Sequence, residues 1–213
     1  MKEGLFESRS FMTTVYFMRH SECLKVKNGM NSDNLQLCNE KQILSVAGEE
    51  LAKKIAFKDC FVGIDGIYSS NYVRAIATAK YIADINGLDV NVVSDFGERK
   101  FGVNVWSELP DDFEKRQFYD ENYKIGDGES LNEVQERMHK ALIQVLELNK
   151  RKKVCIISHA TAMTTLFKIW CDVIPSDGYY FNGKFISDTN WNYCELFKLE
   201  FDDDNSLINI SNL

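Results

Sequence analysis

The sequence has few of the features that mark metal-binding, secreted or membrane proteins. It contains three histidines in 213 residues, too few for a histidine-rich metal centre. Its six cysteines form no Cys-x-x-Cys pair, and Cys155 lies within an apolar run, which is typical of buried, reduced thiols. No stretch approaches the length of a membrane span, and residues 1–12 lack the apolar core of a signal peptide. We therefore expect a cytoplasmic protein with an N-terminal tail at 1–12, no metal, no cofactor and no membrane partner.

An excess of positive charge is also absent. The 25 lysines and arginines stand against 32 aspartates and glutamates, and the net charge is −7. No overall field therefore attracts nucleic acid, and an anionic ligand would have to be bound by a few local cations. With 45% hydrophobic residues the chain can bury one full core, so we expect a single domain over residues 1–213.

The apolar run Val15-Tyr16-Phe17-Met18 stops abruptly at Arg19-His20. Such a run predicts a strand, here Thr13 to Met18, that is covered on both faces of a sheet. Open α/β sheets keep their sites at strand ends. A permanent cation beside an imidazole there is suited to holding a phosphate while the imidazole attacks it. The alternative is that both residues are simply the first solvated positions after a strand.

The rest of the chain repeats a unit of strand, loop and helix. Further strands are predicted at Ile64–Ser69, Val90–Val93, Val154–Ser158, Tyr193–Phe201 and Leu207–Ile210, the last two joined by an acidic hairpin turn. Helices are predicted from Ser45 to about Phe57, Tyr72 to Asn86 with Ser69-Ser70-Asn71 as a possible cap, Leu131 to Asn149 with a Ser130/Glu133 capping box, and Ala160 to Cys171. This pattern predicts a three-layer α/β/α fold whose mostly parallel sheet has about six strands and one antiparallel edge strand.

Three segments show no clear periodicity. Residues 23–42 are interpreted as a long surface loop, 103–129 as a part-helical excursion that covers a pocket, and 174–190 as a second covering loop. The last two segments carry aromatic side chains that either line an entrance or pack together.

Besides Arg19 and His20, two basic residues are candidates for the site, His159 and Arg74. His159 follows the Val154–Ser158 strand as His20 follows the first, whereas His139 lies in mid-helix and is expected to pack. Arg74 falls in the first turn of its helix, where the dipole favours anions. An anion shared with Arg19 would remove that conflict, and an exposed arginine tolerated at small cost is the alternative.

Several segments, in chain order, resemble motifs of the histidine phosphatase superfamily in its phosphoglycerate-mutase-like branch. These segments are Arg19-His20-Ser21-Glu22, Leu44-Ser45 with Gly48, Ser69 to Ala79 with Arg74, Glu98 to Gly102, Gly128-Glu129-Ser130 and Ser158-His159-Ala160. Ser21 and Ala160 replace glycines of the family pattern, which could narrow a phosphate pocket. Val26 stands where the family has an asparagine, for which Asn28 is a candidate substitute.

The resemblance implies a role for each of these residues. His20 would accept the phosphoryl group, and Arg19, Arg74 and a protonated His159 would hold its oxygens. Glu98 would be the proton donor, with Glu22, Glu108 and Glu129 as rivals. Ser21, Asn28 and Ala160 would complete the substrate-binding set, and no metal is required.

The expected function is a metal-independent phosphomonoesterase that acts on a small phosphorylated metabolite and releases inorganic phosphate. A phosphoglycerate-mutase-type phosphotransferase is the nearest alternative. The segment 103–129 is short and acidic, whereas mutase relatives carry a longer basic insertion, and this favours hydrolysis. A non-catalytic phosphate-binding or regulatory domain of the same fold is the third hypothesis.

Overall fold

The structure, a computed structural model, describes residues 12–25 and 34–213. The predicted positions Val26 and Asn28, and nearly all of the tail 1–12, lie outside the described residues. The central sheet has six strands in the spatial order β3 (Val90–Val92), β2 (Gly66–Ser69), β4 (Lys153–Ser158), β1 (Thr13–Arg19), β8 (Leu196–Phe201) and β9 (Leu207–Asn212).

The sheet is parallel from β3 to β1 and antiparallel at its other edge. β1 and β4 run in register, with Arg19 opposite Ser158. β8 pairs antiparallel with both β1 and β9, and the acidic turn Asp202–Asn205 joins β8 to β9. The predicted mostly parallel sheet with an antiparallel edge is confirmed, the strand that runs against the others being β8.

Helices cover both faces of the sheet. On one face α5 (Leu131–Leu148) and α6 (Ala160–Phe167) pack on Phe17 and Ile156, and on the other α2 (Val46–Ala56) and α3 (Val73–Asn86) pack on Met18 and Ile157. These four strand side chains are fully buried, and each contributes about 1.5–3 kcal/mol by leaving water. The apolar run of β1 therefore alternates between two cores, and the three-layer prediction is confirmed.

Two of the predicted helix starts are confirmed and one is wrong. Ser45 accepts a hydrogen bond from the Gly48 amide, and Ser130 and Glu133 form the capping box. The helix after β2 has Tyr72 as its N-cap, without a side-chain cap. The Ser70 hydroxyl, a predicted cap, accepts from the Tyr72 amide at 3.3 Å, before the first helical residue, and lies 2.7 Å from the ring of His159.

Two segments predicted as loops contain regular structure. Residues 23–42 include α1 (Leu35–Lys41), whose seven residues are too few for periodicity to show, although Asn34 caps its first turn. Residues 174–190 include an antiparallel sheet of β5 (Asp172–Ile174), β6 (Gly178–Phe181) and β7 (Lys184–Ser187). Asn182-Gly183, both at positive φ, make the two-residue turn between β6 and β7, and this dipeptide is the signal that could have predicted the hairpin.

The segment 103–129 is part-helical, as predicted. It contains a 3₁₀ turn at Trp106–Glu108 and α4 (Phe113–Tyr119). Aromatic side chains of the segment pack on one another, with the rings of Phe113 and Tyr123 5.9 Å apart, and Trp106 packs on Phe101 just before the segment at 4.9 Å. No disulfide joins any of the six cysteines, all of which lie in the described ranges; four are buried, and Cys38 and Cys60 are half-buried.

Candidate active site

The two predicted histidines meet at one edge of the sheet. β1 and β4 are neighbouring parallel strands, so their carboxyl ends coincide and bring His20 and His159 together. The centroids of the two rings are 5.1 Å apart. His139 lies elsewhere, half-buried on α5 with its ring 6.0 Å from that of Trp170, which agrees with the predicted packing role.

The hydrogen bonds of His20 fix its tautomer. The Nε of Arg74 lies 3.1 Å from His20 Nε2, and because a guanidinium can only donate, Nε2 must be the acceptor. Nδ1 therefore carries the proton and donates it to the Ser21 carbonyl at 2.7 Å. Burial, with the charges of Arg74 and Arg19, lowers the pKa of His20 to about 3. His20 is neutral, with its Nε2 lone pair directed at Arg74.

His159 is neutral as well, whereas the resemblance implied a protonated ring that holds a phosphate oxygen, and that role stays a prediction. Its Nδ1 accepts from Arg74 Nη2 at 3.2 Å, so its proton lies on Nε2, which donates to the Ser70 hydroxyl at 2.7 Å. Complete burial, together with His20 and the neighbouring arginines, lowers the pKa of His159 well below its usual range. This ring can hydrogen-bond an anion as a donor only after it gains a proton or changes tautomer.

The two predicted arginines flank the histidines. Arg74, 4% exposed at the start of α3, binds both imidazoles, and its Nη1 donates to the Asn39 carbonyl near the end of α1. Arg19 donates through Nη1 to the Trp191 carbonyl, and its guanidinium carbon lies 4.5 Å from the centre of the Tyr193 ring. Its Nε is buried and has no hydrogen-bond partner among the described residues.

Glu98 reaches the same edge from the loop after β3. Its carboxylate accepts hydrogen bonds from the amides of Arg99, Ala162 and Thr161 at 2.9, 3.0 and 3.2 Å. Two of these amides belong to the first turn of α6, directly after His159, where unpaired N–H groups and the dipole favour an anion. Glu98 is therefore held beside the second histidine.

The three rival carboxylates have other partners. Glu22 accepts from the Ser45 hydroxyl at 3.0 Å, and Glu108 accepts from the amide of Asn104 at 2.9 Å within its own turn. Glu129 forms an ion pair with Arg137 at 2.7 Å. These contacts leave Glu98 as the candidate whose carboxylate lies at the start of α6, directly after His159.

The comparison with known families agrees with this geometry. A model of the histidine phosphatase superfamily (branch 1) matches residues 15–212. The chain belongs to this superfamily. The predicted family is confirmed, and with it the class of enzyme, a histidine-type phosphatase.

The relatives of this histidine phosphatase include both mutases and phosphatases. The chain is 30% identical to the probable phosphoglycerate mutase GpmB of Salmonella arizonae. The match spans 162 residues and covers 73% of each chain. A mycobacterial glucosyl-3-phosphoglycerate phosphatase superposes with a TM-score of 0.69 at 16% identity, covering 94% of this chain and 97% of that one. A phosphoglycerate mutase from Bacillus anthracis has a TM-score of 0.65 at 14% identity, with 95% and 92% covered. The fold is therefore common to both activities.

The two departures from the glycine pattern cause no backbone strain in this histidine phosphatase. Neither Ser21 nor Ala160 has a positive φ. The Ser21 hydroxyl donates to the Gly48 carbonyl at 2.7 Å and its amide donates to Thr78 at 3.0 Å, so the side chain faces α2. Ala160 is the first residue of α6. The contribution of Ser21 to the site is its carbonyl, which orients His20.

Sequence reasoning missed several residues that support the site. The Tyr72 ring lies 4.5 Å from that of His159, and its hydroxyl donates to the Glu98 carbonyl at 3.3 Å. Thr78 accepts from the Ser21 amide and donates to the Arg74 carbonyl. Tyr72 and Thr78 lie within the Ser69–Ala79 motif, which was the available signal. The third is Arg137, on α5, for which no motif gave a signal.

A cavity of about 110 Å³ is lined in part by Tyr72 and Glu98, and neither His20 nor His159 is among its lining residues. Its lining is polar and carries both signs of charge; besides Tyr72 and Glu98 it includes Gln36, Glu40, Asn71, Asp95, Lys100 and Arg137. Within the described ranges no group of three His, Cys, Asp or Glu side chains is placed to hold a metal. No helix in that part of the chain is both long and apolar enough to cross a bilayer.

Proposed function

We propose that this histidine phosphatase is a metal-independent phosphomonoesterase that hydrolyses a small phosphorylated metabolite through a phosphohistidine on His20. The observation that carries the proposal is the Nε2 lone pair of His20. The Ser21 carbonyl holds the proton on Nδ1, and Arg74 lies against Nε2, so a neutral nucleophile faces a fixed cation.

In the first step Arg74 Nε transfers its hydrogen bond from His20 Nε2 to a phosphate oxygen, and the freed Nε2 lone pair attacks the phosphorus. The bond from phosphorus to the leaving oxygen breaks, and its electron pair goes to that oxygen. The N–H groups of Arg74 and Arg19 hold the non-bridging oxygens in place of the Asn39 and Trp191 carbonyls that they now contact. Each guanidinium at about 4 Å from a phosphate charge contributes on the order of 4 kcal/mol at an effective dielectric constant near 20, before desolvation. Two such contacts offset the net negative charge of the protein locally.

Glu98 supplies the proton for the leaving oxygen. In the second step water attacks the phosphorus of the phosphohistidine, and Glu98 takes a proton from this water. The phosphorus–nitrogen bond breaks. The electron pair of that bond returns to Nε2, and inorganic phosphate leaves.

One feature favours hydrolysis over transfer between sugar acids. Two of the three cations in the segment 103–129, Arg116 and Lys124, form ion pairs with Asp112 and Glu133 at 2.8 and 2.5 Å, so a second phosphate would have to displace a carboxylate from either of them. The mutase alternative is retained because the curated relatives are named probable phosphoglycerate mutases.

One experiment separates these functions. The protein is incubated with p-nitrophenyl phosphate and a panel of metabolite phosphates, alongside His20→Ala and the matched control His139→Ala. We expect turnover in the wild type and the control, loss of turnover in His20→Ala, and a trapped phosphoenzyme that is labile to acid and stable to alkali. Turnover that requires an added bisphosphate would identify a mutase. Saturable phosphate binding without turnover in any variant would identify a binding domain.

A further inference from the structure

The ion pair of Arg137 with Glu129 lies behind the Glu98 loop and is largely buried. The two side chains are 18% and 14% exposed. Arg137 Nε donates to Glu129 Oε1 at 2.7 Å and Nη2 donates to Oε2 at 2.9 Å, which is the bidentate geometry of the strongest arginine–carboxylate pairs. Its low exposure and its two parallel hydrogen bonds distinguish this pair from an ordinary surface ion pair.

The remaining donors of Arg137 all bind the backbone that leads to Glu98. Nη1 donates to the carbonyls of Asp95 and Gly97 at 2.7 and 3.0 Å, and Nη2 donates to the carbonyl of Glu98 at 3.2 Å. With the two bonds to Glu129, all five N–H donors of the guanidinium are used. One side chain therefore fixes three carbonyls within four residues.

Glu129 fixes the chain on the other side of Glu98. Its Oε2 accepts from the Lys100 amide at 3.0 Å, and its own amide donates to the Lys100 carbonyl at 2.9 Å. The backbones meet closely next to these bonds, since a Cβ on Gly102 would lie 2.4 Å from the Gly128 amide nitrogen. Gly102 ends the Glu98–Gly102 motif and Gly128 begins the Gly128-Glu129-Ser130 motif. These two glycines permit the close approach, which brings Glu129 to the loop.

We infer that Arg137, together with Glu129, is a positioning residue that sets where the Glu98 carboxyl lies at the start of α6. The inference rests on the proposed function, in which Glu98 transfers the proton. Glu98 itself is bound through its side chain to α6, and its backbone is bound to Arg137, so the loop spans two anchors. Loss of the Arg137 anchor shifts the carboxyl relative to the leaving oxygen, and a displacement of about 1 Å can cost up to about 10²-fold in rate.

A purely structural role would reduce the activity on all substrates alike, whereas a role in placing the acid depends on the leaving group. p-Nitrophenolate leaves without a proton, and an alkoxide does not. For Arg137→Met and Glu129→Gln we expect kcat/KM, which reports formation of the phosphoenzyme and not its later hydrolysis, to fall by about tenfold or more on an alkyl phosphate and to stay within about twofold of the wild type on p-nitrophenyl phosphate. Glu98→Gln should show the same selectivity, and adding Arg137→Met to it should cause no further loss on the alkyl phosphate.

The matched control is Arg151→Met, which removes an arginine paired with Asp203 at the opposite end of the sheet and should leave both rates unchanged. If Arg137→Met does not fold, Arg137→Lys replaces it, because lysine keeps the positive charge but cannot form the bidentate pair with Glu129. Equal loss on both substrates, or no loss, in variants that keep a folded circular dichroism spectrum would overturn the inference alone. A wild type that hydrolyses neither substrate would overturn the proposed function, and the inference with it.

Discussion

Acidification from pH 7 to pH 5 should weaken the fold because of the buried histidines. The ring of His20 is 6% exposed, and burial beside Arg74 holds its pKa at about 3, against 6.5 for an exposed imidazole. Between these two values the unfolded chain binds a proton at this position and the folded protein does not. The free energy of unfolding therefore falls as the pH falls below about 6.5, and the loss continues until the pH reaches the folded pKa.

The size of the effect follows from the two pKa values. At pH 5 the unfolded imidazole is mostly protonated, which favours the unfolded state by about 2 kcal/mol relative to pH 7 for His20 alone. His159 is fully buried and its pKa is lowered in the same direction, so it adds to the loss. A domain of ordinary stability has about 5–15 kcal/mol to lose, so the change is large enough to measure.

The assay is urea unfolding followed by tryptophan fluorescence at the two pH values, in buffers free of phosphate, since a bound anion would stabilise the folded state. His20→Gln should lose about 2 kcal/mol less on acidification than the wild type. His139→Gln is the matched control, because it removes a histidine that packs on Trp170 away from the site. An equal loss in His20→Gln and the wild type would refute a neutral, proton-resisting His20.

Three further changes test the supports of the site. In Gly48→Ala the new Cβ would lie 2.0 Å from the Glu22 carbonyl oxygen, so we expect the free energy of unfolding to fall by about 1–3 kcal/mol. We also expect a lower kcat, because the Ser21 carbonyl would move away from His20. Gly87→Ala is the control, since its Cβ meets no atom within 4 Å and kcat should be unchanged. Ser130→Ala should lower the free energy of urea unfolding by about 1 kcal/mol by removing the cap of α5, and a loss below about 0.3 kcal/mol would contradict the capping role. Tyr72→Phe should lower kcat without changing the affinity for inorganic phosphate, because its hydroxyl binds the Glu98 loop; an effect on phosphate affinity alone would contradict this role.

The nucleophile side of the site could be predicted from sequence because it depends on strand ends. A continuous apolar run must be buried on both faces, and parallel strands end at one edge, so His20 and His159 had to meet there. Arg74 follows from its motif on the helix after β2. What the sequence could not supply is the protonation of the rings, since it depends on which way the Ser21 carbonyl and the Arg74 guanidinium point.

The support of Glu98 could not be predicted, because it joins segments without a common local pattern. Arg137 lies on the half-exposed side of an amphipathic helix, where arginine usually signals solvent contact. The close approach of the backbones at Gly102 and Gly128 brings the loop to the start of α5. The short α1 escaped prediction for a related reason, since seven residues give too few turns for an apolar stripe.

In the proposed mechanism, phosphate binding and proton transfer depend on different parts of the fold. The cations and imidazoles are held by β1, β4 and the start of α3, which are anchored in the two hydrophobic cores. The Glu98 carboxyl and its loop are held by one ion pair and six hydrogen bonds to backbone groups. Arg137, Glu129 and the first turn of α6 form these bonds. Charge-assisted bonds of this kind depend on geometry more steeply than apolar contacts do. Changes in the loop and in α5 can therefore alter which leaving groups are protonated while the phosphate pocket keeps its shape.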